Sequence, residues 1–253
     1  GMALGANLSN MNEVWGWPVY YNEEGGFSTP ALTLDLGKPG TLVVNRAGKR
    51  FFNEAGAYDP ATRPFYNYDN GTHEYSNIPA FAIADSGHRS RYRFASLAAG
   101  AETPAWVKKA DTLEDLAAQL GIDAAAFVAT VQRFNEFAVQ GLDPDFRRGV
   151  SAFDQLTGGD RTRTDVINPC LGPLTEAPFY AATIWPGALG TCGGLKINGK
   201  AQVLNVWGDV IAGLYAVGNA SGSVMGAGYP GGGGTVGAGM TFAYLAAEDM
   251  TNA

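Results

Sequence analysis

The sequence predicts an α+β protein: a mixed helix and strand domain followed by a β-rich C-terminal segment that ends in a helix. Three observations carry this expectation. Short apolar runs such as TLVVN at residues 41–45 and AFAIA at residues 80–84 have strand length and are bounded by turn residues. Between residues 111 and 141 the apolar positions instead recur every three or four residues, the period of a helix. Beyond residue 190, glycines and the pair Asn198-Gly199 punctuate short apolar segments in the manner of hairpins, and an apolar stretch at 240–247 follows.

Composition limits the classes of function. With 253 residues, 46% of them hydrophobic and 16% charged, the chain can bury a core in one large or two modest domains. A net charge of −7 and scattered Lys and Arg argue against nucleic acid as a partner. No apolar run reaches the roughly 20 residues that a transmembrane helix needs. Residues 1–17 lack the basic and apolar regions of a signal peptide, so the cytoplasm is the expected location. Cys170 and Cys192, with only two histidines in the chain, form no metal-binding spacing; no metal is expected and both thiols read as reduced.

Taken in order, residues 2–8 read as a short helix, followed by Met11, Trp15 and Trp17, as if the chain began within an element. Residues 41–45 form a strand, a turn surrounds Gly48, and residues 50–53 are its strand partner. Residues 58–75 are aromatic without periodicity and read as a long loop. Residues 80–84 return to a strand, and the helical segment with His88, Arg89, Arg91 and Arg93 reads as solvated surface or salt-bridge residues. Two helices follow, one capped by Asp111 and stopped by Gly121, the other capped by Asp123 and stopped by Gly141. Residues 143–178, rich in Gly, Pro, Arg and Thr, cross between layers to a boundary near 178. Strands at 179–184, 195–197, 202–206 and 214–217 then make a sheet of hairpins.

The candidate binding element is GAGYPGGGGTVGAG at residues 226–239, preceded by the strand-like GLYAVG at 213–218. Gly231, Gly232, Gly233 and Gly234 have no Cβ, so their backbone N–H groups can closely approach a flat or anionic ligand. A helix starting near Thr235 adds free N–H groups and the positive end of its dipole. Gly226, Gly228 and Gly231 also satisfy GxGxxG, but Pro230 lies inside it and no βαβ unit follows, which rejects a dinucleotide fingerprint.

GTCGGLKING (190–199), GLYAVGNASG (213–222) and GYPGGGGTVGAG (228–239) together resemble the C-terminal part of the fumarate reductase and 3-ketosteroid dehydrogenase flavoprotein superfamily. GKRFFNEAGAY (48–58), FAIADSGHRSRY (81–92) and RFNEFAVQGLDPDFRRG (133–149) extend the resemblance over nearly the whole chain, on the ketosteroid dehydrogenase side. It implies a remnant of the FAD domain at 1–18, a substrate or cap domain at 19–178 and a flavin-contacting segment at 179–253. The superfamily's N-terminal dinucleotide-binding domain has no counterpart in these residues.

The resemblance also assigns roles. Tyr229 and the N–H of Gly233 share the ketone oxygen of an apolar substrate as an oxyanion-type site. Tyr58 is the base, which at an ordinary pKa near 10 requires a hydrogen-bonded neighbour or positive charge. Thr235 and Val236 face the pyrimidine edge of FAD, Asn219 its ribityl chain, Gly193 and Gly194 the ring, and Gly234 is a further cofactor-binding residue. A dehydrogenase acting on CH–CH of a 3-ketosteroid-like ketone is implied. Two alternatives stay open: a truncated, non-catalytic domain that does not hold FAD alone, and an enoate or fumarate-type reductase. The latter would need an arginine where Pro230 and glycines stand. Partners left open are a homo-oligomer and a missing N-terminal half.

Overall fold

A computed structural model describes residues 1–22, 25–31 and 33–252. The α+β class holds, and the chain divides into two compact units, Gly1–Trp15 with Ala188–Ala253, and Gly16–Gly187.

The second unit is organised by a six-stranded sheet in the order Phe27–Pro30, Val14–Asn22, Phe179–Thr191, Ala80–Ala84, Thr41–Asn45, with Lys108–Ala110 also pairing to Phe179–Thr191. Thr41 pairs with Ala84 and Asn45 with Ala80, antiparallel; on the other edge of that strand Ala80 faces Ile184 and Ala84 faces Tyr180. Thr41–Asn45, at the end of this order, and Ala80–Ala84 are both buried along their whole length. The two-residue period of a strand sorts their side chains into separate cores. Leu42, Val44, Phe81, Ile83, Phe179 and Ala181 join one, and Val43, Ala80, Ala82, Ala84, Ala182 and Ile184 join the other.

Two helices cover the first core. Leu113–Leu120 buries Leu116 and Ala117, and Ala124–Ala138 buries Phe127, Val131, Phe134 and Ala138, spaced by four, three and four. Each such large side chain contributes roughly 1.5–3 kcal/mol of burial. Asp123 caps the longer helix, its side chain accepting from the Ala126 N–H at 2.9 Å. The other cap is Thr112 and not Asp111: its hydroxyl accepts from the Asp115 N–H at 3.0 Å and donates to the Asp115 carboxylate at 2.7 Å. Gly121 ends the first helix with φ 65°, as expected, whereas the second ends at Ala138 and Gly141 closes the turn after it.

Several local expectations are corrected. Residues 50–53 are not a strand, because Asn45 folds the chain into a closed turn: its Oδ1 accepts from the N–H groups of Ala47 and Lys49, both at 3.0 Å. The edge of Thr41–Asn45 pairs with Ala80–Ala84 instead. Residues 58–75 contain a helix at Tyr58–Thr62, a 3-10 turn at Arg63–Tyr66 and a short hairpin of Tyr68–Asp69 with Glu74–Tyr75. Their apolar periodicity is weak because only a few residues, among them Ala61 and Phe65, reach the core.

His88 and Arg89 are buried, not solvated. The Asp85 carboxylate caps Ser86–Arg91 by accepting from the His88 N–H at 2.8 Å. His88 Nδ1 lies 2.9 Å from the Pro39 carbonyl, and Arg89 donates to the carbonyls of Ala98 and Ala101. Burial, above all, holds the imidazole neutral, with its pKa lowered to about 4.

In the first unit, the N-terminal helix is only Met2–Leu4, stopped by Gly5 at φ 80°, and Leu8–Ser9 becomes a strand paired with Gly194–Leu195. Gln202–Leu204 pairs with Val210–Tyr215, so the last strand begins four residues earlier than the sequence suggests. Between residues 198 and 202 the left-handed position is Ala201, at φ 63°, and not Gly199. The long helix Gly234–Asn252 is tied to the hairpin through Asp249, which accepts from Gln202 Nε2 at 2.8 Å and the Tyr215 hydroxyl at 2.9 Å. Among the described residues, no helix is long and apolar enough to cross a membrane and no His, Cys, Asp and Glu cluster could hold a metal ion.

Candidate functional site

In the first unit the glycine run leads directly into Gly234–Asn252. Gly231 and Gly233 adopt φ of 114° and 91°, conformations an L side chain rarely takes, and a Cβ on Gly231, Gly232 or Gly233 would meet nothing within 4 Å. The run therefore presents bare backbone to open space just before a helix of nineteen residues. Gly234 donates to Gly231 and Gly237 to Gly233 across this turn. Thr235 and Val236 occupy the first helical turn, where intrahelical acceptors are lacking. Donors of this kind suit the oxygens of a flavin's pyrimidine edge.

Thr235 and Asn219 line one narrow cleft together with Trp15, Gly218 and Ser221. Gly193 and Gly194 have a reason for being glycine within the chain itself. A Cβ on Gly193 would lie 3.0 Å from the Asn10 carbonyl oxygen, and one on Gly194 would lie 2.6 Å from the Ser221 backbone. Tyr229 is half-buried, and its ring approaches the position a Gly234 Cβ would take to within 3.8 Å.

Tyr58 belongs to the second unit, where it opens the helix Tyr58–Thr62 and is half-buried. The segment leading to it is fixed by four buried charges. Arg50 forks onto Glu54 at 2.9 and 2.7 Å and onto Asp143 with two bonds of 2.9 Å. Arg148 reaches Glu54 at 3.3 Å and donates to the carbonyls of Thr41 and Lys38, each at 2.8 Å. Glu54 also accepts from the Val43 N–H at 3.1 Å, which anchors residue 54 to the central sheet. Burial pushes the Glu54 carboxyl up, but the charges of Arg50 and Arg148 outweigh it and hold the group below its usual range. Asp143 is lowered in the same way, chiefly by its bonds to Arg50 working against burial.

Trp15 and Trp17 lie outside every motif of the sequence, yet each contacts one of the two tyrosines. Trp15 packs on Tyr229, ring centroids 5.2 Å apart, and Trp17 stacks on Tyr58 at 4.2 Å with 17° between the planes. The available signal was two tryptophans two residues apart, on one face of a strand.

The profile of the FAD binding domain family matches residues 1–236, and the chain belongs to that family, in the fumarate reductase and succinate dehydrogenase flavoprotein superfamily; FAD is the family's cofactor. Within it, the chain is 44% identical over 256 residues to a 3-oxosteroid 1-dehydrogenase of Mycolicibacterium smegmatis, covering 98% of this chain and 44% of that protein. It is 43% identical over 252 residues to a 4-oxocyclohexanecarboxylate 2-dehydrogenase of Sinomonas cyclohexanicum, covering 98% of this chain and 43% of that protein. Among solved structures, it resembles a 3-ketosteroid delta1-dehydrogenase from Sterolibacterium denitrificans in complex with 1,4-androstadiene-3,17-dione. The TM-score is 0.91 at 37% identity, over 99% of this chain and 45% of that one. The chain thus spans less than half the length of these relatives.

Proposed function

We propose that the protein is an FAD-dependent dehydrogenase that desaturates the carbon–carbon bond beside the carbonyl of a 3-ketosteroid-like, apolar ring ketone. The observation that carries this reading is the TM-score of 0.91 over 99% of the chain to a steroid dehydrogenase holding a dienone. Both relatives named above act on ring ketones by their names, which supports the ketone as the common element. In this reading residues 19–178 form the substrate domain, while 1–18 and 179–253 belong to the FAD-binding part.

The chemistry follows from the side chains. The Tyr229 hydroxyl and the Gly233 N–H both donate to the ketone oxygen and stabilise the negative charge it gains as the adjacent carbon loses a proton. Tyr58 serves as the base that takes that proton. Gly193, Gly194, Asn219, Gly234, Thr235 and Val236 hold the flavin, the helix start facing the edge where negative charge collects. FAD, when bound, supplies the hydride acceptor.

A second reading is that these 253 residues by themselves fold without retaining FAD or turning over. One experiment separates the two. The purified chain is mixed with excess FAD, freed of unbound flavin, examined by visible absorption and assayed with a 3-oxosteroid and an artificial electron acceptor. Retained flavin with turnover, and a Tyr58→Phe variant that keeps flavin but loses about 100-fold or more in kcat, supports the dehydrogenase. Near-normal turnover in Tyr58→Phe removes Tyr58 as the base; a colourless protein supports the second reading.

A further inference from the structure

We infer that Trp15 and Trp17 are positioning residues, each holding the orientation of one candidate catalytic tyrosine in its own unit: Trp15 for Tyr229 and Trp17 for Tyr58. The inference rests on the proposed roles of those tyrosines.

Trp15 is 2% exposed, and its indole Nε1 donates to the carbonyl of Gly228, the residue before Tyr229, at 3.3 Å. Its ring also packs against the Tyr229 ring, tilted by 58°. Backbone and side chain of Tyr229 are thus gripped by one indole. The grip matters because the surrounding loop is poor in side chains: Gly226 and Gly231 flank it at φ 60° and 114°, and neither has an atom near the site of a Cβ. In a glycine loop such a hold narrows the range of positions open to the phenol.

Trp17 acts on the other tyrosine by a parallel stack, which limits tilt of the Tyr58 ring and so fixes the direction of its hydroxyl. The neighbouring Gly16 sets the distance. Its N–H donates to the buried Asp59 carboxylate at 2.9 Å, and a Cβ at Gly16 would fall 2.5 Å from Thr62 Cβ. Only glycine lets this strand lie directly on the helix Tyr58–Thr62. The Trp17 indole Nε1 is shielded from solvent and, among the described residues, has no hydrogen-bond partner.

The test has two arms. In the first, NMR of the chain with ring-labelled tyrosine, assigned through Tyr58→Phe, reads the Tyr58 ring protons. Under the indole's ring current they resonate upfield in the unaltered protein. They move to the ordinary tyrosine position in Trp17→Leu and stay displaced in Trp17→Phe. This arm needs no flavin, and ordinary Tyr58 shifts in the unaltered protein overturn the role of Trp17.

The second arm is kinetic, on FAD-reconstituted protein with a 3-oxosteroid. Trp17→Leu and Trp15→Leu each lower kcat by about tenfold or more, about 1.4 kcal/mol, with KM within about twofold and flavin retention unchanged. Trp17→Phe and Trp15→Phe recover most of the loss. Full activity in the leucine variants, beside an impaired Tyr58→Phe, overturns the positioning role while leaving the proposed function intact. Full activity in Tyr58→Phe overturns the catalytic reading of Tyr58, and the role of Trp17 falls with it. If a leucine variant does not fold, the phenylalanine variant and the ring shifts of the unaltered protein still decide.

Discussion

Glu54 is four residues from Tyr58 and shows how single side chains set the site. It is fully buried, with both oxygens taken by Arg50, Arg148 and the Val43 N–H. Arg50 also lies 5.0 Å over the rings of both Phe134 and Phe146, so the cluster joins helix, sheet and the segment carrying Tyr58. A buried charge network adds little net stability against an apolar replacement, but losing one partner leaves charge uncompensated. Glu54→Gln is therefore expected to destabilise the second unit by about 3–5 kcal/mol in denaturant unfolding. A loss under about 1 kcal/mol would show that Arg50 and Arg148 are satisfied without it. His88 carries the opposite lesson: a histidine among three arginines reads as surface, yet the Asp85 cap and the Pro39 carbonyl draw it inside.

At the level of elements, the helices were legible because period and caps coincide. At the first of the two helices the cap differs by a single residue, Thr112 in place of Asp111, and this can be tested. Thr112→Ala should cost about 1 kcal/mol, whereas Asp111→Ala should stay within about 0.5 kcal/mol. Equal losses in thermal unfolding would restore Asp111 as a cap. The strand at residues 50–53 failed for a different reason. Turn chemistry around Gly48 resembles a hairpin, but a Cβ there would be 2.7 Å from the Phe127 N, so that turn is packed against a helix. A turn buried under a helix gives no strand partner, and the adjacent segment turns inward with Arg50.

The whole molecule contrasts two units of different internal support. The second has two extensive cores, one on each face of its sheet. The first, among the described residues, gathers its buried apolar side chains around Ala6, Val203 and Ala216, with Leu195, Ile197, Ile211 and Leu214 half-buried beside them. Val236, Met240, Tyr244 and Met250 of its long helix remain exposed. Local stability follows buried apolar contact. Amide hydrogen exchange should thus be faster in Gln202–Leu204 and Val210–Tyr215 than in Thr41–Asn45 and Ala80–Ala84, and FAD should slow it in the first unit alone if it binds there. Equal protection in both units would refute the difference in support.

The sequence by itself determined the class of fold, the two amphipathic helices, the strands Thr41–Asn45 and Ala80–Ala84 and the flavoprotein motifs. These depend on local period, on caps and on glycine runs, all of which are written in neighbouring residues. The pairing of Thr41–Asn45 with Ala80–Ala84, the burial of His88 and the fourfold charge cluster were decided only by tertiary structure. So were the contacts of Trp15 and Trp17, which lie more than 200 and more than 40 positions from their tyrosines respectively, with separations of 213 and 43 for the adjoining hydrogen bonds. Such contacts leave no local period, because the residues that satisfy them come together only when the chain has closed its loops.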